Sequence, residues 1–220
     1  MADGDDRPAR LVLIRHGESN ATVQRVVGGH QGCTGLSPLG RRQAEALRDR
    51  LGTTGELGPV AALYASVMPR AVETADLLAP ALGGLPVQQD CGVCEVHPGE
   101  ADGLTWQEFS DRWGDPGRDH FKEWAPGAES WAGFVARVGR SLLRLAAAHE
   151  SETVVIACHG GVVEASFVAL GGLPLRRPFD LVVENASITE WERLGPERWR
   201  LRRCNDAAHL AAVPGGTILD

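Results

Sequence analysis

Arg15 directly precedes His16, and a second histidine, His159, stands far along the chain; both histidines are followed by glycine. A second guanidinium, Arg70, lies four residues after Ser66, and a carboxylate, Glu95, follows further on. Two guanidiniums offer planar, bidentate hydrogen bonding to a phosphate. A neutral imidazole between them is a nucleophile near neutral pH, because adjacent cations disfavour its protonated form. Attack by His16 on phosphorus would give a phosphohistidine. Charge developing on the equatorial oxygens would be met by Arg15, Arg70 and His159. Backbone N–H groups at Gly17 or Gly160, near helix starts, would add to the anion site. Glu95 is the available acid for the leaving alkoxide, and a bound phosphate dianion would raise its pKa and keep it protonated. The same carboxylate would then activate water against the phosphoenzyme.

Such groups must converge, and the elements around them explain how. Leu11-Val12-Leu13-Ile14 is a short apolar run of the kind a buried parallel strand carries. Ser37-Pro38 opens a helix with an apolar stripe at Ala44, Leu47 and Leu51, ended by Gly52. Residues 60–64 form a second strand and residues 68–81 a second helix. A third strand starts at Val87 and runs to Glu95. The segment 104–131 is irregular with short helices, and a long helix follows over about 131–149. Thr153–Ala157 is a β-branched, apolar strand, with a helix after Gly160-Gly161. Two further strands lie near 187–192 and 198–204. Strands alternating with helices predict an α/β fold, a three-layer α/β/α sandwich on a mainly parallel central sheet. Ligands of such sheets bind beyond the carboxyl ends of the strands, where Arg15-His16, Ser66 with Arg70, Glu95 and His159 all fall.

With those residues in place, Leu-Ile-Arg15-His16-Gly17-Glu18-Ser19 resembles the R-H-G-E-[ST] motif of the histidine phosphatase (phosphoglycerate mutase-like) superfamily. Ser66-x-x-x-Arg70-Ala71-x-x-Thr74-Ala75 is similar to its second motif. Cys94-Glu95-x-His97-x-Gly99 through Gly103-Leu104 is similar to its acid-bearing segment, and Ala157-Cys158-His159-Gly160-Gly161 to the segment of its second histidine. The likeness runs in order from about 10 to 210 and includes Asn205-Asp206-Ala207-Ala208-His209-Leu210. The resemblance implies the phosphoglycerate mutase-like fold and a phosphohistidine on His16. It implies a phosphate pocket of Arg15, Arg70 and His159, Glu95 as proton donor, and no metal or organic cofactor.

Two departures bear on substrate contacts. Thr22 stands where the family often has Asn; its hydroxyl can still donate to phosphate, with Asn20 as an alternative. Ala101-Asp102 stands where the family often has Trp-Glu. The family's phosphoglycerate mutases carry an arginine directly after the acid, a carboxylate-binding group; here Val96 takes that place, and the chain is shorter than those mutases typically are. Hydrolysis of small phosphate monoesters is therefore the expected activity. A phosphomutase and a non-catalytic phospholigand-binding protein are the alternatives. His97 and His209 read as structural, and the tryptophans at 106–131 as packing with a part in covering the pocket.

Composition limits the rest. The 220 residues carry 22 basic and 29 acidic side chains, a net charge of −7, which repels nucleic acid and anionic membrane in general. The expected partner is a small phosphorylated metabolite; the family includes dimers and monomers, which leaves a homodimer open. Hydrophobic residues make up 43%, enough for a substantial core, yet no apolar run is long enough to span a bilayer. Residues 1–9 read as a frayed leader without a signal-peptide core, and 10–220 as a single domain with a cap-like insertion around 100–131. Five cysteines, an odd number, suggest reduced thiols in the cytoplasm. Cys91-x-x-Cys94 has no second C-x-x-C or histidine pair to complete a zinc site, and no C-x5-R follows any cysteine. Gly35-x-x-x-x-Gly40 is followed by Arg41-Arg42 rather than Lys-Ser/Thr, so no P-loop is expected.

Overall fold

The computed structural model describes residues 8–114, 119–176, 179 and 181–216. Most of the expected leader therefore lies outside the described residues, as does part of the 100–131 segment. Ala9, assigned to the leader, is instead buried, and its carbonyl accepts the Arg193 N–H at 2.8 Å.

Six strands form one sheet: β1 (Arg10–Arg15), β2 (Ala62–Ala65), β3 (Val87–Gln89), β4 (Thr153–Cys158), β5 (Ile188–Arg193) and β6 (Trp199–Asp206). Their order is β3-β2-β4-β1-β5-β6; the first four pair in parallel, and β5 is antiparallel to both its neighbours. The helices are α1 (Asn20–Gln24), α2 (Pro38–Thr54), α3 (Pro69–Leu78), α4 (Trp106–Trp113), α5 (Trp131–Ala148) and α6 (Gly160–Ala169).

The continuous apolar runs of β1 and β4 are explained by burial on both faces. Leu11, Leu13, Val154 and Ile156 join a core with Phe134, Val138 and Leu142 of α5 and Val162 and Ala165 of α6. Val12, Ile14, Val155 and Ala157 point the other way, into a core with Leu47 and Leu51 of α2 and Ala75 and Leu78 of α3. Alternate residues of a strand face opposite sides, so two helical layers enclose the sheet. A third, smaller cluster gathers Val27, Ala101, Phe109, Ala125 and Ala128, with Trp113 and Trp124 against it.

Register sets the site. Arg15 lies opposite Cys158, so His16 and His159 are each the first residue past two adjacent parallel strands. The His16 N–H continues the ladder onto the Cys158 carbonyl at 2.9 Å. Ala65 lies opposite Ala157, and the Ser66 N–H bonds the Ala157 carbonyl at 3.0 Å, which brings Ser66 to the same edge.

The second strand is Ala62–Ala65 rather than 60–64, and three further boundaries differ from those the sequence predicts. Gly52 lies inside α2, which runs to Thr54 and ends at Gly55 in the left-handed region, φ 59°. The helix expected to 81 stops at Leu78 and tightens into a 3₁₀ turn over Ala79–Leu82, because Pro80 has no N–H to continue the ladder. The third strand ends at Gln89, not Glu95. Asp90 then caps a 3₁₀ turn at Cys91–Val93 by accepting the Gly92 N–H at 2.8 Å, and Glu95 follows on irregular backbone.

Candidate active site

His16 is buried and its hydrogen bonds allow one neutral tautomer. The carbonyl of Gly17 can only accept, and it lies 2.6 Å from Nδ1; Nδ1 therefore carries the proton. Arg70 Nε can only donate, and it donates to Nε2 at 3.0 Å; Nε2 is therefore the unprotonated nitrogen, its lone pair held by Arg70. Burial and then the cations of Arg70 and Arg15 hold the imidazole well below its ordinary pKa. A neutral imidazole with a defined lone pair is what nucleophilic attack requires.

The two arginines flank it. Arg70 sits in the first turn of α3, buried, with a second N–H donated to the Gly28 carbonyl at 2.7 Å. Arg15 donates to the carbonyl of Val183, and its buried Nε has no hydrogen-bond partner among the described residues. Burial lowers its pKa, against the attraction of Glu95 and Glu184. Asn205 holds the segment that receives Arg15: its side chain accepts the Glu184 N–H at 2.7 Å and donates to the Val182 carbonyl at 2.9 Å. That gives the C-terminal Asn-Asp motif a positioning task.

His159 is fully buried at the N-terminus of α6, its ring centroid 5.0 Å from that of His16. Nε2 is 2.7 Å from Ser66 Oγ, and Nδ1 is buried without a partner among the described residues. Burial, followed by Arg70, His16 and Arg15, holds this imidazole too well below its ordinary pKa. Cys158 beside it has its thiol pushed up by burial, so it stays protonated and inert.

Glu95 accepts two backbone N–H groups, from Val96 and from Gly161, each at 3.1 Å. Arg15, His16, Thr22, Arg70, Glu95 and Gly161 all line one cavity of about 470 Å³. His159 does not line it; it packs behind His16. The expected anion donors are also revised. The Gly17 N–H is already donated to Thr74 Oγ1 at 3.2 Å. Gly17 is needed for another reason: a Cβ there would overlap the backbone of Gly40 in the first turn of α2. At the α6 end the cavity meets Gly161 rather than Gly160. Thr22 reaches the cavity from α1, its Oγ1 3.0 Å from Ser19 Oγ, whereas Asn20 turns away and donates to the Thr34 carbonyl at 3.2 Å.

Several lining residues escape sequence reasoning. Arg25 ends α1 in a left-handed conformation, φ 56°, which directs the chain past the cavity. Val27, Trp106, Phe109 and Trp124 form an apolar wall, with Trp106 51% exposed. Trp106 and Trp124 belong to the tryptophan group read from the sequence as packing with a part in covering the pocket, whereas no local spacing announces Arg25, Val27 or Phe109, because the segment after α1 meets helix α4 only in the fold. Another reading is overturned. A histidine pair does accompany Cys91 and Cys94: His30 and His97, the former 61 residues from Cys91 in the chain.

The architecture is that of a phosphoglycerate mutase-like α/β protein. A mycobacterial glucosyl-3-phosphoglycerate phosphatase superposes with a TM-score of 0.75 at 31% identity, over 89% of this chain and 98% of that one. In sequence the chain is 30% identical to the metal-independent phosphoserine phosphatase of Arabidopsis thaliana, over 92% of this chain and 84% of the relative. It is 32% identical to a 2,3-bisphosphoglycerate-dependent phosphoglycerate mutase of Brucella canis, over 74% of this chain and 82% of the relative. The family match, to the histidine phosphatase superfamily (branch 1), covers residues 11–207. The chain belongs to that superfamily. Among the described residues no helix is long and apolar enough to cross a membrane.

Proposed function

We propose that the chain hydrolyses small phosphate monoesters through a covalent intermediate on His16. Arg70 exchanges its Nε–H contact with Nε2 for the substrate phosphate and Nε2 attacks phosphorus; the P–Nε2 bond forms as the P–O ester bond breaks, and Glu95 gives its proton to the departing alkoxide. Water then attacks the phosphohistidine as Glu95 takes a proton from it, the P–N bond breaks, and inorganic phosphate leaves. Arg15 and Arg70 hold the transferring oxygens; their planar forks suit the three equatorial positions. His159 packs behind His16 and shapes the site without lining the cavity. The observation that carries this reading is the single tautomer of His16, set by Gly17 and Arg70, which leaves Nε2 unprotonated on a residue that lines the cavity with both arginines.

The cavity also describes the substrate. Its apolar wall suits a compact organic group, and the Arg25 cation at its side suits an anionic substituent such as a carboxylate. The acids named for the relatives, phosphoserine and a phosphoglycerate derivative, have that character. The mutase relative supports a second reading, in which the phosphoryl group returns to substrate. Val96 lines the cavity as an apolar residue and supplies no guanidinium for such a cycle, which favours hydrolysis. Five unpaired cysteines fit a reducing, cytoplasmic setting.

The test is phosphate release from a panel of phosphate esters by wild type and His16→Ala, with trapping of an acid-labile, base-stable phosphoenzyme. Release and trapping by wild type alone are expected. Equal release by His16→Ala overturns the reading, and primed isomerisation of a phosphoglycerate replaces hydrolysis with mutase chemistry.

A further inference from the structure

Outside the cavity, four metal-ligating side chains converge. His30 comes from the glycine-rich loop after α1; Cys91, Cys94 and His97 come from the turn that follows β3. One ligand atom from each lies within 4.8 Å of all the others. Cys91 Sγ is 3.5 Å from His97 Nε2 and 3.6 Å from His30 Nε2, and Cys94 Sγ is 4.0 Å from His30 Nε2. Tetrahedral zinc, with Zn–S of ~2.3 Å and Zn–N of ~2.05 Å, demands sulfur-to-nitrogen edges of about 3.6 Å. The cluster has that size.

Its surroundings hold the ligands in place. Arg137 of α5 donates to the carbonyls of Cys91 and Cys94, at 3.0 and 3.1 Å, and to that of Glu95 at 3.1 Å. Glu129 pairs with Arg137 at 2.6 Å and accepts the His97 N–H at 3.0 Å. Its Oε2 also stands 3.8 Å from His97 Nδ1, the ring nitrogen opposite the ligand atom, as outer carboxylates do at zinc-bound histidines. Asp102 fixes the other segment by accepting the N–H groups of Gly29, Gln31 and Gly32 at 2.8–2.9 Å. Two thiolates balance the charge of a divalent cation, and a set of two sulfurs and two imidazoles selects a borderline-soft metal.

We propose that His30, Cys91, Cys94 and His97 form a structural site for a divalent zinc-type cation, separate from the phosphate pocket. Four protein ligands leave no open position, so the metal takes no part in the reaction. It cross-links the loop whose Gly28 carbonyl holds Arg70 to the segment that carries Glu95.

The full chain, reduced with a non-chelating phosphine, would be loaded with zinc and with cobalt(II). Metal content, visible absorption and melting temperature would then be read without any substrate. The expected results are one zinc per chain, tetrahedral cobalt bands with thiolate charge transfer, and a melting temperature several degrees higher with zinc. His30→Ala and Cys91→Ser should each weaken binding by more than ~100-fold, while exposed Cys204→Ser leaves it unchanged. His30 is exposed, so its variant folds. Substoichiometric zinc, octahedral cobalt without thiolate bands, or binding indifferent to His30→Ala would each overturn the assignment. None of these readouts depends on phosphatase activity.

Discussion

Gly161 and Glu95 are fitted to one another: the Gly161 N–H donates to Oε2 of Glu95 at 3.1 Å, and a Cβ at 161 would overlap Oε1. The glycine after His159-Gly160 is thus tied to the carboxylate that the proposed reaction uses as its acid. Gly161→Ala should push that carboxylate aside and cost roughly 10²-fold in kcat, with KM little changed. The loss should be larger for alkyl phosphates than for p-nitrophenyl phosphate, whose leaving group needs no proton. Equal losses on both substrates would remove Glu95 from the acid role.

His16→Ala should lower kcat on the order of 10⁴-fold or more, because a lost nucleophile takes the whole covalent route with it. Single-turnover phosphate release measures this directly.

The depressed pKa of His16 has a sign that kinetics can check. Nucleophilic Nε2 is lost only on protonation, so the acid limb of kcat/KM for this group should lie well below the ordinary histidine value. Arg70→Gln removes one of the cations that disfavour imidazolium, and the limb should then move to higher pH, with a raised KM for phosphate esters.

His209 bears on stability rather than catalysis. It is half-buried with both ring nitrogens unpartnered among the described residues, and burial followed by the Arg50 cation holds it at about 4, against the pull of Asp206 and Glu56. Between the unfolded value near 6.5 and about 4, the unfolded chain binds a proton that the folded chain refuses, so stability falls as pH falls through that window. His209→Leu should flatten the melting temperature against pH over the same interval. An unchanged slope would assign the acid sensitivity to His16 and His159 instead.

Arg25 and Trp106 separate the organic end of the substrate from its phosphate. Arg25→Gln should raise KM for carboxylate-bearing esters by roughly tenfold, the scale of one charge-assisted hydrogen bond, and leave p-nitrophenyl phosphate nearly untouched. Trp106→Ala should raise KM for both, with kcat largely kept.

Much of the chemistry was legible in the chain because phosphate demands a small set of groups. Arg15, His16 and His159 end or follow apolar strands and Arg70 stands in the first turn of a helix, all features that local periodicity reveals, and parallel register carries those strand ends to one edge; Glu95 reaches the site on irregular backbone beyond β3. The sequence alone determined the residue types, their order along the chain and the α/β alternation. Tertiary structure decided which of them face the cavity. It placed His159 behind His16, occupied the Gly17 N–H with Thr74, and aimed Gly161 rather than Gly160 at Glu95. It also brought His30 to Cys91 and set Arg25 and Trp106 into the wall. Those are contacts between segments remote in sequence, and their geometry is set by loop closure and packing rather than by any local spacing.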